Sequence, residues 1–105
     1  MKVEFTTHDP IRINDVRSFI DEWNRGLDFV ESKTSGSTGK PKTLRLLKKH
    51  MIASAQMTGD FLNLKENDSA LLCMSIDTIA GKMMIVRAIG LDLNLIVTDI
   101  TSTPL

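Results

Sequence analysis

Nine consecutive residues, from Thr34 to Lys42, read TSGSTGKPK and constrain the fold more than any other segment. The run holds four hydroxyl side chains, two glycines and two lysines. It cannot build a core, and it suits neither a helix nor a central strand, because glycine and proline weaken both. It suits a loop that holds phosphate, so we expect the remaining residues to form the scaffold that presents this loop.

Positive charge is concentrated around the run, although the 105-residue chain has no net charge. Residues 32–59 carry six basic side chains and no acidic one, whereas residues 1–31 carry four basic and seven acidic side chains. A local excess of positive charge attracts anions. Because the chain as a whole is not basic, the pattern argues against general binding of nucleic acid.

The composition disfavours several classes of protein. Cys73 is the single cysteine, so no disulfide framework exists, and neither His8 nor His50 stands in a metal-ligand pattern. No apolar signal segment opens the sequence, and no window approaches the ~20 apolar residues of a membrane-spanning helix. The sequence predicts a cytoplasmic protein with no metal-ligand cluster and no membrane partner.

The first half of the chain predicts a strand, a helix and a pair of strands around the loop. Lys2–Phe5 alternates in polarity, and Asn14 is a suitable N-cap for a helix that ends near Gly26. Residues 27–31 and 43–46 are typical of strands on either side of the glycine-rich run. A hairpin that presents the loop is the expected arrangement.

The second half predicts two further helices and a parallel strand pair. A helix is expected over residues 48–62, with an inner face made of Met51, Ile52, Ala55, Gly59 and Leu62. Residues 70–74 and 93–98 are typical of buried strands, and a helix capped by Thr78 is expected between them. The order strand, helix, strand indicates a β-α-β unit with parallel strands.

Together these segments predict an α/β fold. We expect a mostly parallel sheet of about four or five strands with packed helices. Residues 1–105 are expected to form a single domain that is only part of a larger one, because no helix follows the last predicted strand to cover the sheet. An incomplete domain would expose apolar surface, so we also expect the chain to self-associate.

The loop has the chemistry of a phosphate site. Glycines allow backbone N–H groups to converge on one point, hydroxyls add donors, and Lys40 and Lys42 add charge. Only Ser37 and Thr38 separate Gly36 from Gly39, so the run is not a Walker A motif. A Gly/Ser surface turn without function explains the composition nearly as well, and the local charge favours phosphate.

The whole run resembles the phosphate-binding signature of the adenylate-forming superfamily, which includes acyl- and aryl-CoA ligases. All nine positions from Thr34 to Lys42 agree with that signature. The resemblance implies that ATP phosphates contact Thr34, Ser35, Gly36, Ser37, Thr38, Gly39, Lys40 and Lys42, with Lys40 at a position that varies in the family.

A second segment, from Thr78 to Ala88, resembles the part of the family that follows the next core strand. Its Ile-Ala-Gly beginning and Arg-Ala end are most similar to the o-succinylbenzoate–CoA ligases of menaquinone biosynthesis. The resemblance implies that Thr78, Gly81 and Lys82 lie near the acyl substrate. Many relatives carry an aromatic residue or histidine where this chain has Asp77 and Thr78.

The resemblance also implies reactants and missing parts. The full-length enzyme would use ATP with Mg²⁺, an aromatic or acyl carboxylate, and CoA. The adenine-binding segment, the ribose-binding aspartate, the hinge and the C-terminal lysine of the family have no counterpart here, so we expect an N-terminal fragment that carries no catalytic residue and is inactive alone. Two alternatives stay open: a small non-catalytic phosphate- or nucleotide-binding module, and an interaction domain with an idle turn.

Overall fold

A computed structural model describes residues 1–35 and 41–100. Within these ranges the chain forms five strands and three helices. They follow one another as β1 (Lys2–Phe5), α1 (Pro10–Trp23), β2 (Phe29–Ser35), β3 (Pro41–Leu47), α2 (Lys48–Leu62), β4 (Ser69–Leu72), α3 (Ile79–Leu91) and β5 (Asn94–Val97). This mixture confirms the predicted α/β class.

The described strands divide between two sheets. Strands β1, β5 and β4 form a parallel sheet in that order, with β5 in the centre. The register pairs Leu95 with Val3 on one side and with Ala70 on the other. Strands β2 and β3 form a separate antiparallel hairpin. The parallel pairing of β4 with β5 confirms the β-α-β prediction. Of the five strands, three belong to the parallel sheet and two to the hairpin.

Helix α1 begins earlier than the sequence predicts. Its N-cap is Asp9, whose carboxylate accepts a hydrogen bond from the backbone N–H of Ile11 at 3.0 Å. Pro10 takes the first helical position, where its fixed φ and its missing N–H are tolerated. The prediction of the cap at Asn14 is therefore wrong, because the Asp9 carboxylate and Pro10 already start the helix five residues earlier.

The inner face of α2 is narrower than predicted. Met51, Ala55 and Gly59 recur every four residues and are buried. Ile52 and Leu62 are 49% and 57% exposed, so their assignment to this face is wrong. An α-helix has 3.6 residues per turn, which places Ile52 roughly 100° around the axis from Met51.

One apolar core joins the helices to both sheets. Helix α3 contributes four of its apolar side chains, as its almost uniformly apolar sequence predicts. The strands and the other helices contribute the rest. The buried apolar side chains are Val16, Phe19, Val30, Met51, Ala55, Leu72, Met83, Ile85, Val86, Ala88, Leu93, Leu95 and Val97.

Some large apolar side chains remain exposed. Met57 and Phe61 on α2 are 72% and 87% exposed, and Leu71 on β4 is 58% exposed. Strand β4 is an outer strand of the described sheet, so one of its edges carries no described partner. Such surface is what self-association requires. The self-association itself stays a prediction.

Arg12 fastens α1 to the carboxyl ends of β4 and β5. Its side chain is 4% exposed. The guanidinium donates three hydrogen bonds to backbone carbonyls, from Nε to Thr98 at 3.0 Å, from Nη1 to Met74 at 2.8 Å and from Nη2 to Leu72 at 2.9 Å. A buried charge is tolerated only when its donors are satisfied. Here the fork of the guanidinium ties together the segments that follow two neighbouring strands.

Replacing Arg12 should therefore destabilise the fold strongly. We expect Arg12→Met to lower the free energy of unfolding by about 2–4 kcal/mol, because three carbonyl oxygens lose a charged donor. The control is Arg17→Met on the exposed side of the same helix, where the guanidinium carbon lies 5.2 Å from the centre of the Phe5 ring. That contact is worth about 0.5–1 kcal/mol. Urea denaturation of both variants measures the difference, and equal losses would contradict this role for Arg12.

Candidate functional site

The predicted phosphate run lies at the turn of the β2–β3 hairpin. Thr34 pairs with Lys42 in the antiparallel register, and Ser35 pairs with Pro41. Five residues of the run (Gly36, Ser37, Thr38, Gly39 and Lys40) lie outside the described residues. The pairing brings both ends of the run together, as the sequence predicts for a hairpin that presents a loop.

The base of the hairpin is fixed by contacts with the end of α1. The backbone N–H of Lys48 donates to the carbonyl of Asp28 at 2.9 Å, which joins the strands just before α2 begins. The Lys48 ammonium donates to the carbonyl of Trp23 at 2.6 Å and lies 5.2 Å from the centre of the Trp23 indole. Val30 is fully buried on the inner side of β2. The base of the hairpin is therefore held against the end of α1.

The two cationic side chains of β3 point to opposite faces of the hairpin. Lys42 and Arg45 are three positions apart, and successive side chains in a strand alternate between faces. Lys42 shares the face of Val30, whose register partner is Leu46. Arg45 lies on the other face, where its guanidinium carbon is 4.7 Å from the centre of the Phe29 ring. The two charges therefore lie on different faces of the hairpin.

The first turn of α3 is built around Thr78 and Gly81. The Thr78 hydroxyl donates to the carbonyl of Ser75 at 2.7 Å and accepts from the backbone N–H of Gly81 at 3.0 Å. This confirms Thr78 as the N-cap of the helix. A Cβ on Gly81 would lie 2.2 Å from the Ser75 carbonyl oxygen, so no other residue fits without a shift of the backbone. Both predicted residues therefore shape this turn.

Lys82 faces carboxylates. Its side chain is 7% exposed, and its ammonium donates a hydrogen bond to the carbonyl of Ile76. Burial lowers the pKa of Lys82 below its ordinary value, while the charges of Asp77 and Glu22 act in the opposite direction. Lys82 lines an open cleft of about 210 Å³, here called the α1 cleft, with Asp15, Glu22, Glu31 and Asp77. An anionic substrate would meet four carboxylates there.

A second open depression, here called the β3 groove, lies on the other side of this turn. It has a volume of about 360 Å³ and lies between β3, the start of α2 and the start of α3. Ile79 and Met83 of α3 line it, but Thr78, Gly81 and Lys82 do not. Its other principal lining residues are Arg45, Leu47, His50 and Met51. Sequence reasoning did not find this groove, because it forms only when three separate elements pack together.

Two further observations concern metals and membranes. In residues 1–35 and 41–100, no group of three or more His, Cys, Asp or Glu side chains is placed to hold a metal ion. We assign no step to the Mg²⁺ implied by the family resemblance. None of the described helices is long and apolar enough to cross a membrane.

Comparison with known proteins adds a solved relative. No protein-family model matches the sequence, and no curated protein matches it either. The chain is similar to an acyl-CoA synthetase (AMP-forming)/AMP-acid ligase II-like protein from Dyadobacter fermentans DSM 18053, with 38% identity and a TM-score of 0.81. The match covers 93% of this chain and 28% of that protein. The chain thus has the fold of a segment of an adenylate-forming enzyme, and the likeness supports that superfamily.

The close approach at Gly81 can be tested with two glycines of the same helix. Gly81→Ala should lower the free energy of unfolding by about 1–3 kcal/mol, because its Cβ overlaps a backbone carbonyl. The Cβ that Gly90→Ala adds would have no atom within 4 Å. This substitution should stabilise the protein by up to about 1 kcal/mol, because alanine favours the helix. Thermal and urea denaturation measure both changes, and a shift of the same sign for both would contradict the packing described at Gly81.

Proposed function

We propose that this chain supplies the ATP phosphate-binding part of an ATP-dependent acid–CoA ligase. One observation carries the proposal: the Thr34–Lys42 run joins the paired strands β2 and β3 within a fold that matches a segment of an AMP-forming acyl-CoA synthetase-like protein. The match supports the enzyme class. The loop's contact with ATP, the acid substrate and the assignment to CoA ligation are part of the proposal.

In the reaction we propose, a carboxylate oxygen of the acid attacks the α-phosphorus of ATP. The bond from that phosphorus to the bridging oxygen breaks, and pyrophosphate leaves with the electron pair. The thiol of CoA then displaces AMP from the acyl-adenylate and forms the thioester. The part of this chain is to position the β- and γ-phosphates and to offset the charge of the leaving pyrophosphate. By itself the chain is expected to bind ATP without turnover.

The geometry of the hairpin indicates which residues would position the phosphates of ATP. Its paired strands bring the backbone at Thr34 and Ser35 opposite Pro41 and Lys42, so the two ends of the run lie side by side. The Lys42 ammonium adds charge from the exposed end of β3. The excess of basic residues between 32 and 59 raises the local concentration of anions around the turn.

For the acid substrate we propose o-succinylbenzoate. Support comes from the similarity of Thr78–Ala88 to that branch of the family and from the apolar character of the nearby β3 groove. Of the residues in that segment, Ile79 and Met83 line the groove, while Thr78 and Gly81 fix the turn that positions them. Lys82 lies in the α1 cleft, so we propose for it a role in holding the segment that precedes α3.

The experiment is a pair of lysine substitutions in the 105-residue chain. Lys42→Ala should weaken ATP binding about tenfold or more, because a charge-assisted hydrogen bond to phosphate is lost. Lys65→Ala removes an exposed lysine from the turn before β4 and should leave the affinity unchanged. Isothermal titration calorimetry with ATP, and with adenosine as a ligand without phosphate, provides the measurement. ATP affinity that is equal in the two variants would refute the proposed loop function.

A further inference from the structure

Helix α2 presents one row of exposed side chains to solvent. Its members, here called the α2 stripe, are His50, Ser54, Met57 and Phe61. Successive members are four, three and four positions apart, which keeps them on one face of an α-helix and is the spacing of the seam in a two-helix coiled coil. Met57 and Phe61 are 72% and 87% exposed, so nothing in the described part of the chain covers the apolar end of the stripe.

The opposite side of α2 fixes the direction in which the stripe points. Met51, Ala55 and Gly59 are buried and lie roughly 130° around the helix axis from the stripe. A Cβ on Gly59 would lie 2.8 Å from Cδ1 of Leu91, so α2 and α3 pack closely at this position. The helix cannot turn its stripe inward without losing this packing. The stripe therefore stays at the surface unless another chain covers it.

The two ends of α2 carry opposite charges on the same side of the stripe. Lys49 lies in the first turn and Asp60 in the last, and both are exposed. They are eleven positions apart, which corresponds to about 16 Å along the axis, too far for an ion pair within one helix. Among residues 1–35 and 41–100, the ion pair that forms joins the N-terminal ammonium to Asp92. Lys49 and Asp60 are thus available to a neighbouring molecule.

The apolar part of the stripe is complementary to itself in the antiparallel direction. A two-fold axis at the midpoint of the stripe brings Ser54 of one copy against Met57 of the other. The same rotation brings His50 against Phe61, so each large side chain meets a smaller one. The side chains of Ala53 and Ser54 near the midpoint are small, which lets the two helix axes approach closely.

The charges favour the same direction. In an antiparallel pair, the turn that carries Lys49 in one copy lies beside the turn that carries Asp60 in the other. A parallel pair would instead place two lysines together at one end and two aspartates together at the other, which is unfavourable. The charge pattern of this face therefore identifies a second copy of the same chain as the matching partner.

We propose that the α2 stripe is a homodimer face, on which a second copy of this chain packs its own α2 in the antiparallel direction. The proposal goes beyond the ATP loop and does not depend on it. One helix pair makes a small interface, so we expect a dissociation constant on the order of 10–100 μM. The edge of β4 is a poorer candidate for self-association, because it spans four residues, Ser69–Leu72.

Sedimentation equilibrium of the 105-residue chain over about 1–500 μM tests the face, since this range brackets the expected constant. We expect a monomer–dimer equilibrium in which Phe61→Gln raises the dissociation constant about tenfold or more, because a symmetric contact loses the side chain twice. The control is Ile11→Gln on α1, which removes a side chain that is 71% exposed and should leave the constant unchanged. A chain that stays monomeric throughout overturns the proposal, and so does a dimer that Phe61→Gln leaves intact.

Charge reversal tests the antiparallel direction. Lys49→Glu and Asp60→Lys should each weaken the dimer about threefold or more, because each places like charges side by side, and the double variant should return to within about twofold of the wild type. Both reversals suit the dipole of α2 better than the native charges do, so neither should unfold the monomer. Dimerisation that the double variant does not restore would overturn the antiparallel arrangement.

Discussion

The guanidinium of Arg12 is the contact on which the arrangement of the described fold depends. It binds carbonyls at the carboxyl ends of β4 and β5, and it is carried by a helix that follows β1. All three strands of the parallel sheet are thereby connected at their carboxyl ends, where parallel α/β folds place their ligands. The segment between β4 and α3 begins at this contact, so the positions of Thr78 and Gly81 depend on it. A buried side chain of α1 thus helps to fix the frame of the candidate site.

The first turn of α3 separates two depressions that differ in the charge of their lining residues. The α1 cleft contains Lys82 among carboxylates, whereas the β3 groove contains Arg45 and lacks a described carboxylate. The hairpin contributes to both, with Glu31 in one and Arg45 in the other. Lys42 lies near the turn end of β3, whereas the β3 groove is lined by Arg45, Leu46 and Leu47 nearer the other end of the strand. The two depressions therefore differ in the charge that they present.

Local patterns predicted much of this architecture, and the failures have physical reasons. The hairpin, the cap at Thr78 and the parallel β-α-β unit are encoded by short stretches of sequence, and the structure confirms them. The cap of α1 was misplaced because Asp9 and Asn14 have similar propensities, and Pro10 decides between them. Arg12 gave no signal, because its partners lie 60 to 86 residues away in the chain. The β3 groove depends on three elements that only packing brings together. The site assignments at Thr34–Lys42 and at Thr78, Gly81 and Lys82 stay predictions.

The central claim is that the hairpin presents its turn to the phosphates of ATP. A map of backbone amide shifts in the ¹⁵N-labelled chain, titrated separately with ATP, inorganic pyrophosphate and adenosine, tests it most directly. We expect saturable shifts at Thr34, Ser35 and Lys42 with both ATP and pyrophosphate, and none there with adenosine. Shifts that concentrate at the α1 cleft, or that require adenosine and ignore pyrophosphate, would contradict it.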